Sequence, residues 1–336
     1  MVQKRMSILI GLLSIAIVAI GLIQAGVVRR ETSNALVADH EATARAALEQ
    51  AELRVQLARA KQSLAAWAYG SNLTEYNLIK KTQASAEFAE LAKTVAEELK
   101  QIDFQALRND DLKRRFTKLT RLDYAALPEE KFKELLQAVA SMESNYAKIK
   151  ICSYKDKTNC HFALDPEITE ILGTSNDPKE LEYYWTQWHE KAGKPAKEAF
   201  QKYVDLNKES AILNGFNNGA EVWLNEYDDP SFEQQVEDVI VQIRPLYEQI
   251  HAYVRFKLRQ KYGPAIVSEN GPIPIHLLGN MWGQTWEGIA DITTPFPEKK
   301  LIDVTDEMIK QGYNPLKMFK MGDDFFQSLN MTKLPQ

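Results

Sequence analysis

Five histidines, two cysteines and one tract of amide, hydroxyl and aromatic side chains are where this 336-residue chain could do chemistry. A catalytic zinc needs three protein ligands, and two histidines four residues apart on a helix supply the usual first pair. His40, His161, His189, His251 and His276 contain no such pair, and no His-Glu-x-x-His occurs. No serine nucleophile elbow and no glycine-rich phosphate loop is present. Cys152 and Cys160 stand eight residues apart around a polar stretch. In an oxidising compartment such a pair reads as a disulfide. Two free thiols are the alternative, and a two-cysteine metal site lacks the histidines to complete it. The densest tract runs from Gly271 to Trp286: two prolines and a glycine fix an extended entry, and an apolar run ends with Gln284 and Thr285 between Trp282 and Trp286. An amide suits a carboxylate when a nearby cation carries the charge. Taken alone, these two are polar residues in a tryptophan-rich core segment.

The elements that must position these groups read as helices. Only 15 glycines and 13 prolines punctuate the chain, which favours long helices over many short strands. Leu53, Leu57, Ala60, Leu64 and Trp67 recur at helical spacing within 41–69, and Gly70 marks the stop. A second helix starts near Thr74, with Ala84, Phe88, Leu91, Val95 and Leu99 as its apolar face and a charged, solvated opposite face. Helices over 103–124 and 128–149 follow. Asp177-Pro178 opens the next one, bent at Pro195. Ser231 with Gln234 reads as a capping box before a long amphipathic helix. Its face carries Val236, Val239, Ile240, Ile243, Leu246, Tyr247, Ile250 and Val254, with a kink at Pro245 and an end at Gly263. Thr305 caps a short helix ending at Gly312, and Asn314-Pro315 starts another. The fold class is mostly α, one domain behind an N-terminal segment.

Composition narrows the setting. Hydrophobic residues make up 45% and charged residues 26%, a globular balance. A net charge of −5 without a long basic run argues against nucleic acid as a partner. Residues 6–28 carry no charge, behind Lys4-Arg5 and ahead of Arg29-Arg30. They read as a secretory signal cleaved after Ala25 or as an uncleaved membrane anchor, so segment 1–30 is a signal peptide or signal anchor. Either way 31–336 enters the secretory pathway, secreted or membrane-tethered. Asn72-Leu-Thr74 and Asn330-Met-Thr332 are glycosylation acceptors.

Several blocks carry a resemblance: Ala125-Ala-Leu-Pro128, Met142-Glu143, Lys191-Ala-Gly193, Leu213-Asn-Gly215, Pro245-Leu-Tyr247, His251-Ala-Tyr-Val254, the 271–286 tract, Pro295-Phe-Pro297 and Asp323-Asp-Phe-Phe326. Together, in order and nearly without gaps, they resemble the angiotensin-converting enzyme family, the M2 zinc peptidyl-dipeptidases. The cysteine spacing resembles the invertebrate single-domain branch, which implies that Cys152 and Cys160 form its first disulfide. The resemblance implies a multi-helix half-domain, with helices over about 41–100 as a lid on the substrate cleft. It implies that Gln284 helps hold the substrate's C-terminal carboxylate, that Thr285 lines the same pocket, and that Asp165 belongs to the next pocket. Asp165 before Pro166 also suits a helix start. Tyr227 matches a chloride-site tyrosine, whereas His189 stands where some members place an arginine for another chloride. Zinc and chloride are the implied cofactors and peptides the implied substrates. The family's zinc ligands, and the cation beside the carboxylate, fall beyond Gln336. The expectation is the N-terminal part of a dipeptide-releasing metallopeptidase, an incomplete gene model or truncated product without a metal site of its own. A non-catalytic peptide-binding homologue is the second reading. Apolar surface is expected around Met281, Trp282 and Trp286.

Overall fold

The computed structural model describes residues 2–299 and 303–334, with side chains from residue 37 onward. The apolar segment 6–28 therefore lies outside the described side chains, and from residue 37 onward no helix is long and apolar enough to cross a membrane. The chain is helical throughout, with one isolated antiparallel bridge, Ile151 to Phe162, and no strand among the described residues. The mostly-α expectation holds. Two compact units form: Met1–Ile171 with Lys179–Gln249, and Leu172–Pro178 with Ile250–Gln336.

The first unit opens with α1 (Val2–Ser71) and α2 (Glu75–Leu99). The helix expected over 41–69 is continuous with the residues before it. α2 starts where expected, and Thr74 caps it, its hydroxyl accepting from Asn77 N at 3.2 Å. The face expected on α1 is not the face that packs. Leu53, Leu57, Leu64 and Trp67 are more than half exposed, while Ala44, Leu48 and Ala51 are buried against Val95, Leu99, Leu107, Leu112 and Phe116. Both stripes have helical spacing. The alanine-rich one wins because small side chains let α2 and α3 (Asp110–Thr120) approach closely. Arg54–Glu98, Lys61–Glu87 and Arg115–Glu52 join the helices at the rim. Such exposed pairs contribute little beyond registration.

The helix expected over 103–124 splits into short turns at Phe104–Ala106 and Asp123–Ala126 around α3, because Asn109 caps α3 by accepting from Leu112 N. α4 (Glu129–Ala147) and α6 (Pro178–Leu213) bury Leu127, Leu135 and Leu206 in a second cluster. Neither Pro195 in α6 nor Pro245 in α8 (Phe232–Tyr262) ends its helix, since a long helix tolerates one missing backbone bond. The capping box expected at Ser231 is replaced by Asp229. Its Oδ1 accepts from Ser231 N at 2.8 Å and Ser231 Oγ at 2.7 Å, so this carboxylate rather than the Gln234 amide holds the Ser231 N–H.

Cys152 and Cys160 are disulfide-bonded. The Ile151–Phe162 bridge and a bond from Ser153 N to Asn159 O close the same loop, which docks through Tyr154 N to Tyr184 Oη and Tyr183 Oη to Cys152 O. Replacing both cysteines by serine is expected to lower stability by about 2–3 kcal/mol, read as a shift of the denaturant midpoint, because loop closure constrains the unfolded chain.

In the second unit α5 (Thr169–Thr174) supplies buried Leu172, and the end of α8 supplies buried Val254 and Leu258. Gly263 stops α8 with a positive φ of 87°. α9 (Ala290–Thr293), α10 (Thr305–Lys310) and α11 (Pro315–Ser328) complete the chain. α11 starts at Asn314-Pro315 as expected, with Asn314 capping it, whereas Thr305 does not cap α10 and Asp303 Oδ1 instead accepts from Thr305 N.

Candidate functional site

The tract around Gln284 is built by turns. After a short 3-10 turn over Ile275–Leu277, Gly279 and Gly283 take left-handed φ values of 83° and 60°. Between them Asn280 clasps the loop: its Nδ2 donates to Thr285 O and, at 2.9 Å, to Thr285 Oγ1, while its Oδ1 accepts from Trp282 N at 2.9 Å. Trp286 Nε1 donates to Gly283 O at 3.0 Å. The result holds Gln284 and Thr285 on an exposed corner over buried Met281, Leu277 and Ile289. Gln284 makes no side-chain hydrogen bond among the described residues, so its amide is available to a carboxylate. Asn280 was missed from sequence; a Gly-Asn pair inside an apolar run is the turn signal that points to it. Met281 is buried rather than exposed, because the two glycine turns reverse the chain around it; only Trp282, at 45%, is exposed as expected, and Trp286 is half-buried.

The corner depends on close backbone approach in the second unit. A Cβ on Gly288 would lie 2.6 Å from Gly279 O and 3.2 Å from Gly173 Cα. A Cβ on Gly279 would meet Gly288 at 3.0 Å, and its φ is unfavourable for any other residue. Gly288→Ala is expected to lower stability by about 1–3 kcal/mol. Gly193→Ala, with open space around it, is the control in the same thermal melt and is expected to be neutral or slightly stabilising.

Arg255 ties the preceding loop to α8. Its Nε donates to Glu269 O at 3.0 Å and its Nη1 to Gly271 O at 3.0 Å. Asp165, in the first unit, is exposed with extended backbone, and its Oδ1 accepts from Thr169 Oγ1 at 2.7 Å. Its carboxylate thus orders the start of the following turn through a side chain rather than a backbone amide. Asp165 and Tyr227 belong to the first unit, Gln284 and Thr285 to the second.

Neither inorganic cofactor fits the donors present. No group of three His, Cys, Asp or Glu among the described residues could hold a metal ion, and both cysteines are consumed in the disulfide. Zinc needs at least three such ligands. Tyr227 is exposed and stacked on Phe232 with ring centroids 3.7 Å apart. Beside it in sequence, hydrogen bonds from Lys118 and Arg114 hold the Asp228 carboxyl below its ordinary range, and those from Ser231 do the same for Asp229. The cations beside Asp228, Lys118 and Arg114, are already engaged by that carboxylate, so Tyr227 itself offers an anion only its exposed hydroxyl. His189 lies between Trp185 and Trp188, with centroid distances of 4.1 and 5.2 Å, and its Nδ1 donates to Trp185 O at 2.8 Å. That bond commits Nδ1 to the backbone.

A family model described as "Angiotensin-converting enzyme", of the M2 peptidases, matches residues 38–336. The chain is 53% identical over 270 residues to an angiotensin-converting enzyme of Haematobia irritans exigua, covering 80% of this chain and 44% of that protein. It is 42% identical over 275 residues to an angiotensin-converting enzyme-related protein of Drosophila melanogaster, covering 82% and 44%. A bovine angiotensin-converting enzyme is 35% identical over 300 residues, covering 89% and 23%. The chain therefore spans less than half the length of these relatives.

Proposed function

The chain belongs to the angiotensin-converting enzyme family of M2 peptidases, and from that premise we propose that it supplies the N-terminal portion of a zinc-dependent peptidyl-dipeptidase. In that role Gln284 receives the C-terminal carboxylate of a peptide, Thr285 lines the same pocket, and Asp165 contributes to the neighbouring one. Helices α1 and α2, over about 41–100, act as the lid. The observation that carries this reading is the exposed, unengaged Gln284 amide on a corner that Asn280 holds fixed. A preorganised donor needs no reordering when a carboxylate arrives. The zinc, its activated water and the cation that neutralises the carboxylate come from residues that this chain does not include. Zinc would polarise the scissile carbonyl and lower the pKa of its water; this chain's own residues bind and orient the peptide end.

A secretory setting fits the same picture. The disulfide needs an oxidising compartment, and Asn72 and Asn330 are both exposed and open to glycosylation. Residues 6–28 serve as a cleaved signal or as a membrane anchor. Chloride at Tyr227 would likewise require residues beyond those present.

The second reading is a non-catalytic peptide-binding homologue, favoured by a histidine set with no helical ligand pair. Sequencing the full transcript separates the two. An in-frame His-Glu-x-x-His downstream of Gln336 supports the peptidase reading. A stop codon directly after Gln336 overturns it in favour of the second.

A further inference from the structure

A cavity of about 470 Å3 opens inside the first unit, within the roughly 300–1,000 Å3 span of small-molecule sites. The lid helices α1 and α2 form one wall and the α3–α4 layer the other. Val55, Phe88, Leu119, Leu122, Leu135 and Trp223 make it predominantly apolar. Three cations stand at its edge: Arg59, Lys118 and Arg121.

Two of the three are already neutralised. Arg121 donates to Asp123 Oδ1 at 2.6 Å, to Asn225 Oδ1 at 2.7 Å and to Glu226. Lys118 pairs with Asp228 at 2.9 Å and donates to Asn225 O. Arg59 differs. Its guanidinium lies over the Phe88 ring, 4.0 Å from the centroid, and one nitrogen donates to Gln62 Oε1 at 2.9 Å. No carboxylate pairs with it among the described residues. Stacking and the Gln62 bond orient the fork while leaving donors for a further acceptor, a geometry suited to a carboxylate.

The floor is preformed. Asp123 holds a left-handed φ of 46°, uncommon for a non-glycine residue. Asn214 Oδ1 accepts from Leu122 N at 3.1 Å and Asp123 N at 3.0 Å, while Ser210 Oγ and Asn214 Nδ2 each donate to Asp123 O at 2.8 Å. Strain of this kind persists only where the surroundings over-determine it. Tyr124 Oη, bonded to Tyr203 Oη at 3.0 Å, stays a neutral phenol because burial, then that bond, raises its pKa.

We propose that this cavity binds an amphiphilic monocarboxylate of medium chain length, its carboxylate on Arg59 and its chain among Phe88, Leu122 and Leu135. An occupant would bridge the lid helices and the layer beneath, so binding also stabilises the α1–α2 hairpin on its support.

The test is calorimetric titration with octanoate and with octanol, on the chain with exposed Val239, Ile243, Leu246 and Ile250 replaced by glutamine to keep it monomeric. Octanoate is expected to bind saturably at one site, with octanol weaker by about tenfold, the worth of one charge-assisted contact. Arg59→Gln is expected to bring octanoate down to the octanol level and leave octanol unchanged. Ala92→Phe, which fills the cavity, is expected to abolish both. Helical circular dichroism checks each variant, and if Ala92→Phe does not fold, Arg59→Gln decides alone. Octanol binding as tightly as octanoate, octanoate binding indifferent to Arg59→Gln, or no saturable heat would overturn the proposal. The first two outcomes would be the mark of non-selective partition onto exposed apolar surface.

Discussion

Incubated with zinc and chloride, the purified chain is expected to take up no stoichiometric zinc and to release no C-terminal dipeptide from a peptide substrate. Helical zinc sites need histidines four apart, and none of the five histidines meets that spacing. The thiols that could replace imidazole are bonded to one another, and isolated carboxylates hold zinc weakly. Without an activated water, the expected deficit against a complete metallopeptidase is on the order of 10⁶-fold or more. Elemental analysis and a dipeptide-release assay check it. One zinc per chain, or turnover blocked by a chelator, would show that the chain holds a metal site of its own. A longer product carrying His-Glu-x-x-His is expected to recover both zinc and turnover.

The second large effect concerns association. Val239, Ile243, Leu246 and Ile250 line one stripe of α8 and are 55%, 55%, 64% and 45% exposed. On α11, Leu316, Phe319 and Phe325 are likewise exposed. Burying each such side chain is worth about 1.5–3 kcal/mol, and contiguous patches of this kind drive association. The isolated chain is therefore expected to sediment as oligomers or aggregate. Replacing the four α8 residues by glutamine is expected to raise the monomer fraction sharply, with helical circular dichroism retained, since these side chains have little packing to lose. Under the proposed function these faces are covered by the remainder of a longer protein. A monodisperse wild-type monomer that melts cooperatively would instead support the non-catalytic reading.

Much of this protein was legible in its sequence because the signals are local. Helical periodicity, the helix starts near Thr74 and at Asn314-Pro315, the stop at Gly263 and the cysteine pair depend on neighbours a few residues away. The ordered blocks from Ala125 to Phe326 were enough to indicate the family that the comparisons then established. Histidine spacing determined, without any structure, that the chain cannot assemble a helical zinc pair. Tertiary structure decided what local signals leave degenerate. Two stripes of α1 have helical spacing, and only packing selected the alanine-rich one, because small side chains let a second helix approach while Leu57 and Leu64 remain outside. Ser231 and Thr305 look like caps, yet neither hydroxyl caps its helix; Asp229 and Asp303, each two residues upstream, accept from their backbone N–H groups instead. The corner that presents Gln284 rests on Asn280 and on glycines at 173, 279 and 288, separated by up to 115 positions in the chain. The contact that requires them exists only once the folded backbone brings them within van der Waals reach.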